Sequence, residues 1–177
     1  QGIIWSGRYL NRMEEIFQQE GIPMELTRLP FVESSFNLKA RSKVGASGIW
    51  QFIRLTGKRF LNINRSVDER NDPIEATRAA ARLLKSNFKS LQSWPLAITA
   101  YNHGPSGMMR AVKKVGSDDL AQIIQRYRSP TFGFASRNFY ASFLAAFHVH
   151  IEYEKYFGRI TPEAMIVYDE VVMPNYV

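Results

Sequence analysis

No cysteine occurs among the 177 residues, so disulfides, zinc-thiolate centres and a thiol nucleophile are all excluded. No apolar run approaches the ~18 to 20 residues that a membrane-spanning helix needs. There is no basic-then-apolar leader, and the chain opens on Gln1 rather than Met; it reads as a mature or excised part of a longer protein. No internal repeat or low-complexity linker divides it, and its length suits one domain that closes a core without covalent staples. Long basic blocks are missing as well. The 23 Lys and Arg outnumber the 16 Asp and Glu to leave +7, a balance that favours an anionic partner: nucleic acid, an acidic membrane surface or a cell-wall polymer. Basic pairs such as Lys113-Lys114 are short, and the cations read as a scattered, solvated surface. Without a recognised module or a basic stripe interleaved with aromatics, nucleic-acid binding is not expected.

What is present is helical spacing. Tyr9, Leu10, Met13, Ile16 and Phe17 repeat at three-and-four intervals, and Gly21 with Pro23 supplies a stop. Pro23 opens a second helix through Met24, Leu26 and Leu29, which Pro30 should kink or end just before Glu33. Residues 34 to 46 read as loop, and Gly48 to Phe60 as one or two short helices. Asp72-Pro73-Ile74-Glu75 is a capping-box start for a long helix that carries Ile74, Thr77, Ala80, Ala81, Leu84 and Phe88 on one face. Further helices are predicted from Pro95 to Tyr101, Gly107 to Val115 and Asp118 to Tyr127. A last one, from Ser136 to Phe157, carries Phe139, Phe143, Phe147 and Tyr153, and its bulk predicts a central core element. Beyond Pro162 the β-branched Ile166-Val167-Tyr168 and Val171-Val172 predict an extended arm or strand. The prediction is an all-α domain of seven or eight helices over 1–160, with 161–177 as an extension toward a missing region.

Four ordered motifs carry a resemblance that covers roughly Gly21 to Ala146. They are Glu33-Ser34; Ala40 with Ser42; Gly45-Ala46-Ser47-Gly48-Ile49-Trp50-Gln51; and Ala100-Tyr101-Asn102-His103-Gly104, with the Asp72-Pro73 helix start between the last two. In that order they resemble the lytic transglycosylases related to goose-type lysozyme. The Trp of Gly-Ile-Trp-Gln and the run Asp68-Glu69-Arg70 are similar to the branch that often carries LysM cell-wall-binding repeats. The resemblance implies a lysozyme-like helical fold, location in the bacterial cell envelope (periplasmic), peptidoglycan glycan strands as substrate, and no metal or other cofactor.

It also implies a single carboxylate, Glu33, as general acid and base. Glycosidases of the two usual kinds need a second carboxylate as nucleophile or as base for water. The family uses the sugar's own C6 hydroxyl instead, leaving a 1,6-anhydro end. Leu29, Phe31, Val32 and Phe36 should supply apolar surroundings that keep the acid protonated. By resemblance Ser42 and Gln51 bind substrate or steady the acid, Tyr101 approaches acid and sugar, and Asn102 holds an acetamido group; Ser34 orients backbone. The bland readings are a capping Ser42, a solvent-facing helical Gln51, a core Tyr101 and a turn-forming Asn102. His103 departs from the family's usual Ala and reads as a tolerated larger side chain. Where relatives carry Glu-Thr-Arg-x-Tyr, this chain has Ala135-Ser136-Arg137-Asn138-Phe139 followed by Tyr140, so the roles of that Glu and Tyr are not carried over. His148 and His150 point apart on a helix, against a metal site. Two other functions fit the same motifs: hydrolysis of the same bond, with Asp68, Glu69 or Asp72 as second carboxylate, and an inactive glycan-binding module.

Overall fold

Ten α-helices and two 3-10 helices, with three isolated β-bridges and no strand, make up the described part of a computed structural model, residues 1–167 and Val171. The all-α expectation is met. α1 (Gly2–Ser6) precedes the first amphipathic segment and was not foreseen; α2 (Leu10–Gln19) buries Leu10, Met13, Ile16 and Phe17, the spacing read from the sequence. Gly21 stops it with φ 69°, a left-handed conformation cheap only for glycine. Pro23 then starts a 3-10 helix, Met24–Arg28, and α3 (Leu29–Glu33) follows at once with Pro30 in its first turn. Pro30 was expected to kink or end a helix here, yet it opens one. In the first turn the missing amide has no helical partner to lose, so the ring costs nothing. Glu33 is the last residue of α3, the helix end that the sequence indicated.

Only α4 (Arg54–Gly57) forms between Gly48 and Phe60. Ahead of α5 a 3-10 helix spans Glu69–Asn71, and α5 itself is Pro73–Leu91. Asp72 caps α5 by accepting from the amides of Ile74 and Glu75. The reciprocal half of the capping box is absent; Glu75 turns instead to Arg78 at 3.4 Å. Ten residues of α5 are buried, and it packs on α2 and on α6 (Trp94–His103). α7 (Pro105–Val115) ends at Gly116 with φ 70°, and α8 (Leu120–Arg126) begins under an Asp119 cap.

The long aromatic helix is two: α9 (Phe134–Ile151) and α10 (Tyr153–Phe157), separated at Glu152. Nor is it central. α9 buries only Ser136, Phe139 and Phe143; Tyr140 and Phe147 are half-buried and Phe134 is exposed, and the middle of the molecule is α5 with the apolar Leu96 to Ala100 of α6. One core joins α2, α3, α5, α6 and α9, and a second lies under α6, α7 and α8 around Leu96, Met108, Ile123 and Phe132. Fully buried side chains such as Phe17, Leu84 and Met108 each stabilise by about 1.5–3 kcal/mol relative to exposure. After α10 the chain runs back along the N-terminus: the amide of Glu163 donates to the Ile4 carbonyl (2.9 Å) and that of Ile166 to Arg8 (3.2 Å). Ile166 and Val167 form no strand. The rest of that expected extended segment, Tyr168 and Val172, lies outside the described residues.

Candidate active site

The loop after α3 and the loop before α5 are tied together by polar groups that leave little freedom. Trp50 is wholly buried and its indole N–H donates to Thr77 of α5 at 2.9 Å. Its ring lies stacked near Phe17, with centroids 5.7 Å apart. Gly48 has φ 77°, and a Cβ there would stand 1.9 Å from the Arg70 carbonyl oxygen. Only glycine fits that approach. Arg70, 6% exposed, closes the frame by donating to the carbonyls of Gly45 (2.8 Å) and Phe52 (3.1 Å) and pairing with Asp68. Ser34 donates to the Ile49 carbonyl at 2.8 Å, the backbone-orienting part expected of it.

That frame and α6 enclose a cleft of about 330 Å³ whose lining includes Glu33, Ser42, Gln51, Tyr101 and Asn102. The structure therefore brings together all five residues singled out from the sequence. Glu33 is half-buried on one side of the cleft. Removal from water pushes its carboxyl up from the ordinary 4.5 to about 7, and burial is the one cause at work. None of the four apolar residues expected around it, Leu29, Phe31, Val32 and Phe36, is among the residues that line the cleft. Leu29 and Phe36 lie in the core, and Phe31 faces away, packed on Phe36 and His150 with centroids 4.6 and 5.0 Å apart. Ala46, Phe52, Ile53 and Leu83 line the cleft instead. They come from distant parts of the chain, which sequence neighbours could not reveal.

Tyr101 donates its hydroxyl proton to the Trp50 carbonyl at 2.8 Å. Burial first, and then the nearby Glu33 charge, raise the phenol well above its ordinary range. Its oxygen thus faces the site as an acceptor. Gln51 is not helical. It sits in a turn with φ 49°, and its amide nitrogen donates to the carbonyls of Gly48 (2.8 Å) and Ala40 (3.1 Å). The side-chain oxygen is left without either bond. The Ser42 hydroxyl accepts from the Ala46 amide at 3.0 Å and keeps its own proton to donate. Asn102 accepts from the Ser136 hydroxyl at 2.8 Å, which orients the amide and leaves the NH₂ as donor.

Ser136 was missed by the sequence reading, although the signal existed: it stands where relatives have Thr in the Glu-Thr-Arg run. Tyr140 packs between the two cores, 6.4 Å from Phe143, and does not line the cleft. His103 is also outside the lining; it meets Phe132 edge-on at 4.9 Å, and burial lowers its pKa. A second carboxylate is not found in the cleft among the described residues. Asp68 is held by Arg70, which lowers its pKa, Glu69 accepts from Asn62, and Asp72 caps α5. Nor do three or more His, Asp or Glu gather as a metal site among the described residues.

Membrane-bound lytic murein transglycosylase D of Escherichia coli K12 is 39% identical over 98 residues, 54% of this chain and 22% of that protein. A putative tributyltin chloride resistance protein of an Alteromonas strain is 34% identical over 119 residues, 66% of this chain and 58% of that protein. The chain thus spans less than two thirds of the length of the curated relatives it matches. An inactive variant of lytic transglycosylase Slt from Pseudomonas aeruginosa superposes with a TM-score of 0.64 over 90% of this chain and 26% of that one, at 20% identity, a likeness of fold. The transglycosylase SLT domain model matches residues 12–124, from α2 through most of α8 and across the whole cleft, and the chain belongs to that family.

Proposed function

We propose that this domain cleaves the β-1,4 bond between N-acetylmuramic acid and N-acetylglucosamine in peptidoglycan without water, with Glu33 acting first as acid and then as base. Protonated Glu33 gives its proton to the glycosidic oxygen as the bond from that oxygen to C1 of the muramyl sugar breaks. The carboxylate left behind takes the proton of the C6 hydroxyl while that oxygen bonds to C1. Atoms balance: the carboxyl is regenerated and a 1,6-anhydro end forms. Effective molarities of well-oriented intramolecular attack reach about 10⁵–10⁸ M, so the sugar's own hydroxyl can replace an enzymic nucleophile. One observation carries the reading: a single desolvated carboxyl, raised to about 7, faces the cleft with no second carboxylate beside it among the described residues. A group with that pKa can give and take a proton near neutral pH.

In this reading the Asn102 amide and the Ser42 hydroxyl donate to substrate acetamido or hydroxyl oxygens, and the Tyr101 and Gln51 oxygens accept. The place of action is the periplasmic side of the cell envelope, where LysM-type repeats in a longer chain would hold the domain on the wall. Mass spectrometry of muramyl fragments from digested sacculi is expected to show anhydro ends. Reducing ends, heavier by one water, would instead make the domain a goose-type-lysozyme-like hydrolase.

Ser136→Ala removes the hydroxyl that orients Asn102. One hydrogen bond is worth about 1 kcal/mol, so KM should rise about fivefold with kcat little changed. Ser136→Thr, which keeps the hydroxyl, should restore it. An unchanged KM in Ser136→Ala would mean that Asn102 needs no such orientation to hold substrate.

A further inference from the structure

The net charge of the protein is concentrated. Segment 34–67 contains Lys39, Arg41, Lys43, Arg54, Lys58, Arg59 and Arg65 and no Asp or Glu, while the other 16 Lys and Arg are matched by 16 Asp and Glu. The cations are therefore not a scattered bias, as the sequence reading had them. All seven side chains belong to exposed residues. None enters an ion pair among the described residues, whereas elsewhere Arg8, Arg28, Arg70 and Arg82 meet Glu163, Glu14, Asp68 and Glu20. The same segment forms one wall of the cleft through Ser42, Val44, Ala46, Ile53 and Thr56. Arg41 and Lys43 flank Ser42, and Arg54 follows Ile53 in the chain. The acids that come next, Asp68 and Glu69, are already engaged by Arg70 and Asn62.

We propose that segment 34–67 is a cationic wall that binds the carboxylates of the stem peptides on the glycan strand held at Glu33, so that peptide-bearing strands are cut in preference to peptide-free ones. This rests on the peptidoglycan-cleaving reading above and adds its substrate class. The glycan itself offers the cleft hydroxyls and acetamido groups, which a neutral lining satisfies. Seven cations without an ion pair among the described residues, on the segment that supplies that wall and three of them next to lining residues in the chain, call for an anion attached to the same ligand. Stem peptides carry free carboxylates at intervals along the strand and project from it beside the scissile bond. Cations of one sign along a cleft raise the local concentration of such a ligand by about 10- to 10³-fold. An anionic bilayer is a poorer occupant. Exposed Val44 and Ile53 are part of the cleft lining, so a membrane seated on this face would close the mouth that substrate must use.

The test compares kcat/KM on soluble glycan strands that carry stem peptides with kcat/KM on strands stripped by an amidase. The variants are the triple substitution Arg41→Gln, Lys43→Gln, Arg54→Gln and a control, Lys89→Gln, Lys113→Gln, Lys114→Gln, which removes the same charge away from the cleft. In the wild type the ratio should favour peptide-bearing strands and should shrink as salt rises, because exposed charges are screened within about 10 Å at 0.1 M. The first triple variant should lower the ratio about tenfold and the control should leave it alone. A ratio untouched by the first variant, or lowered equally by the control, would overturn the proposal. So would a first variant that loses binding to phosphatidylglycerol vesicles while its ratio is unchanged, which would assign the wall to the membrane. Weighing the products separates the two readings: reducing ends would defeat the non-hydrolytic mechanism, yet the ratio would still decide the role of the wall.

Discussion

Glu33→Gln is expected to abolish turnover of purified sacculi while leaving sacculus binding in place. The amide keeps the shape of the side chain and its hydrogen-bonding reach, but has no proton to give the leaving oxygen and no basicity to accept one from the C6 hydroxyl. A positioned acid or base contributes about 10²- to 10⁴-fold. Here one group serves both halves of the reaction, so the loss should reach the top of that range. The cleft holds no second carboxylate to substitute among the described residues. In the wild type kcat/KM should fall as pH rises through about 7, where the free enzyme's acid, raised by burial, gives up its proton. Turnover of Glu33→Gln within tenfold of wild type would move the acid elsewhere. Loss of binding together with turnover would make Glu33 a support for the cleft rather than its proton carrier.

The cleft was more legible in the sequence than the helices that build it. Glu33 could be placed at a helix end because Pro23 and Pro30 bound a short apolar stretch, Gln51 lies in the turn that Gly48 marks, and Tyr101 and Asn102 close the helix that Gly104 ends. What those marks could not say is which way a proline acts. Pro30 suggests a kink or a stop because the apolar spacing runs through it, whereas the preceding turn is 3-10 and the proline begins a new helix. The weight given to α9 failed for a related reason. Aromatic content resembles burial in a list of residues, but Phe134 is 85% exposed and Phe157 58%, while the small, unassuming Ala79, Ala80 and Ala81 of α5 are at the centre. Small residues let helices approach closely, and no hydrophobicity count rewards that. The apolar side of the cleft was not foreseen. Phe52 and Ile53 join Leu83 of α5 in the carboxyl's cleft because Arg70 and Trp50 fold the intervening loop against α5. Such long-range closure leaves no periodic trace.

The same substitution that stops the chemistry is expected to stabilise the fold, and only above a definite pH. Unfolded Glu33 titrates at its ordinary 4.5, and the folded carboxyl is raised to about 7 by burial. Below the lower value both states hold the proton, so the group's full contribution is present. Between the two values the folded state keeps a proton that the unfolded chain has released, and stability falls by about 1.4 kcal/mol per pH unit. Above 7 the loss is complete, at most about 3 kcal/mol, reduced where cleft water reaches the carboxyl. Glutamine carries no charge at any of these pH values and escapes the penalty. Glu33→Gln should therefore melt higher than wild type at pH 8, by up to about 6–12 °C if each kcal/mol is worth about 2–4 °C in a domain of this size. At pH 4 the two should melt together. Thermal unfolding of both proteins across that pH range checks the claim. A variant that melts no higher at pH 8 would show that the fold does not desolvate this carboxyl, and the argument for an acid poised near neutrality would lose its physical basis. A gain of the same size at pH 4 would point to packing rather than charge, because at that pH wild-type Glu33 is already protonated and differs from glutamine by one polar group.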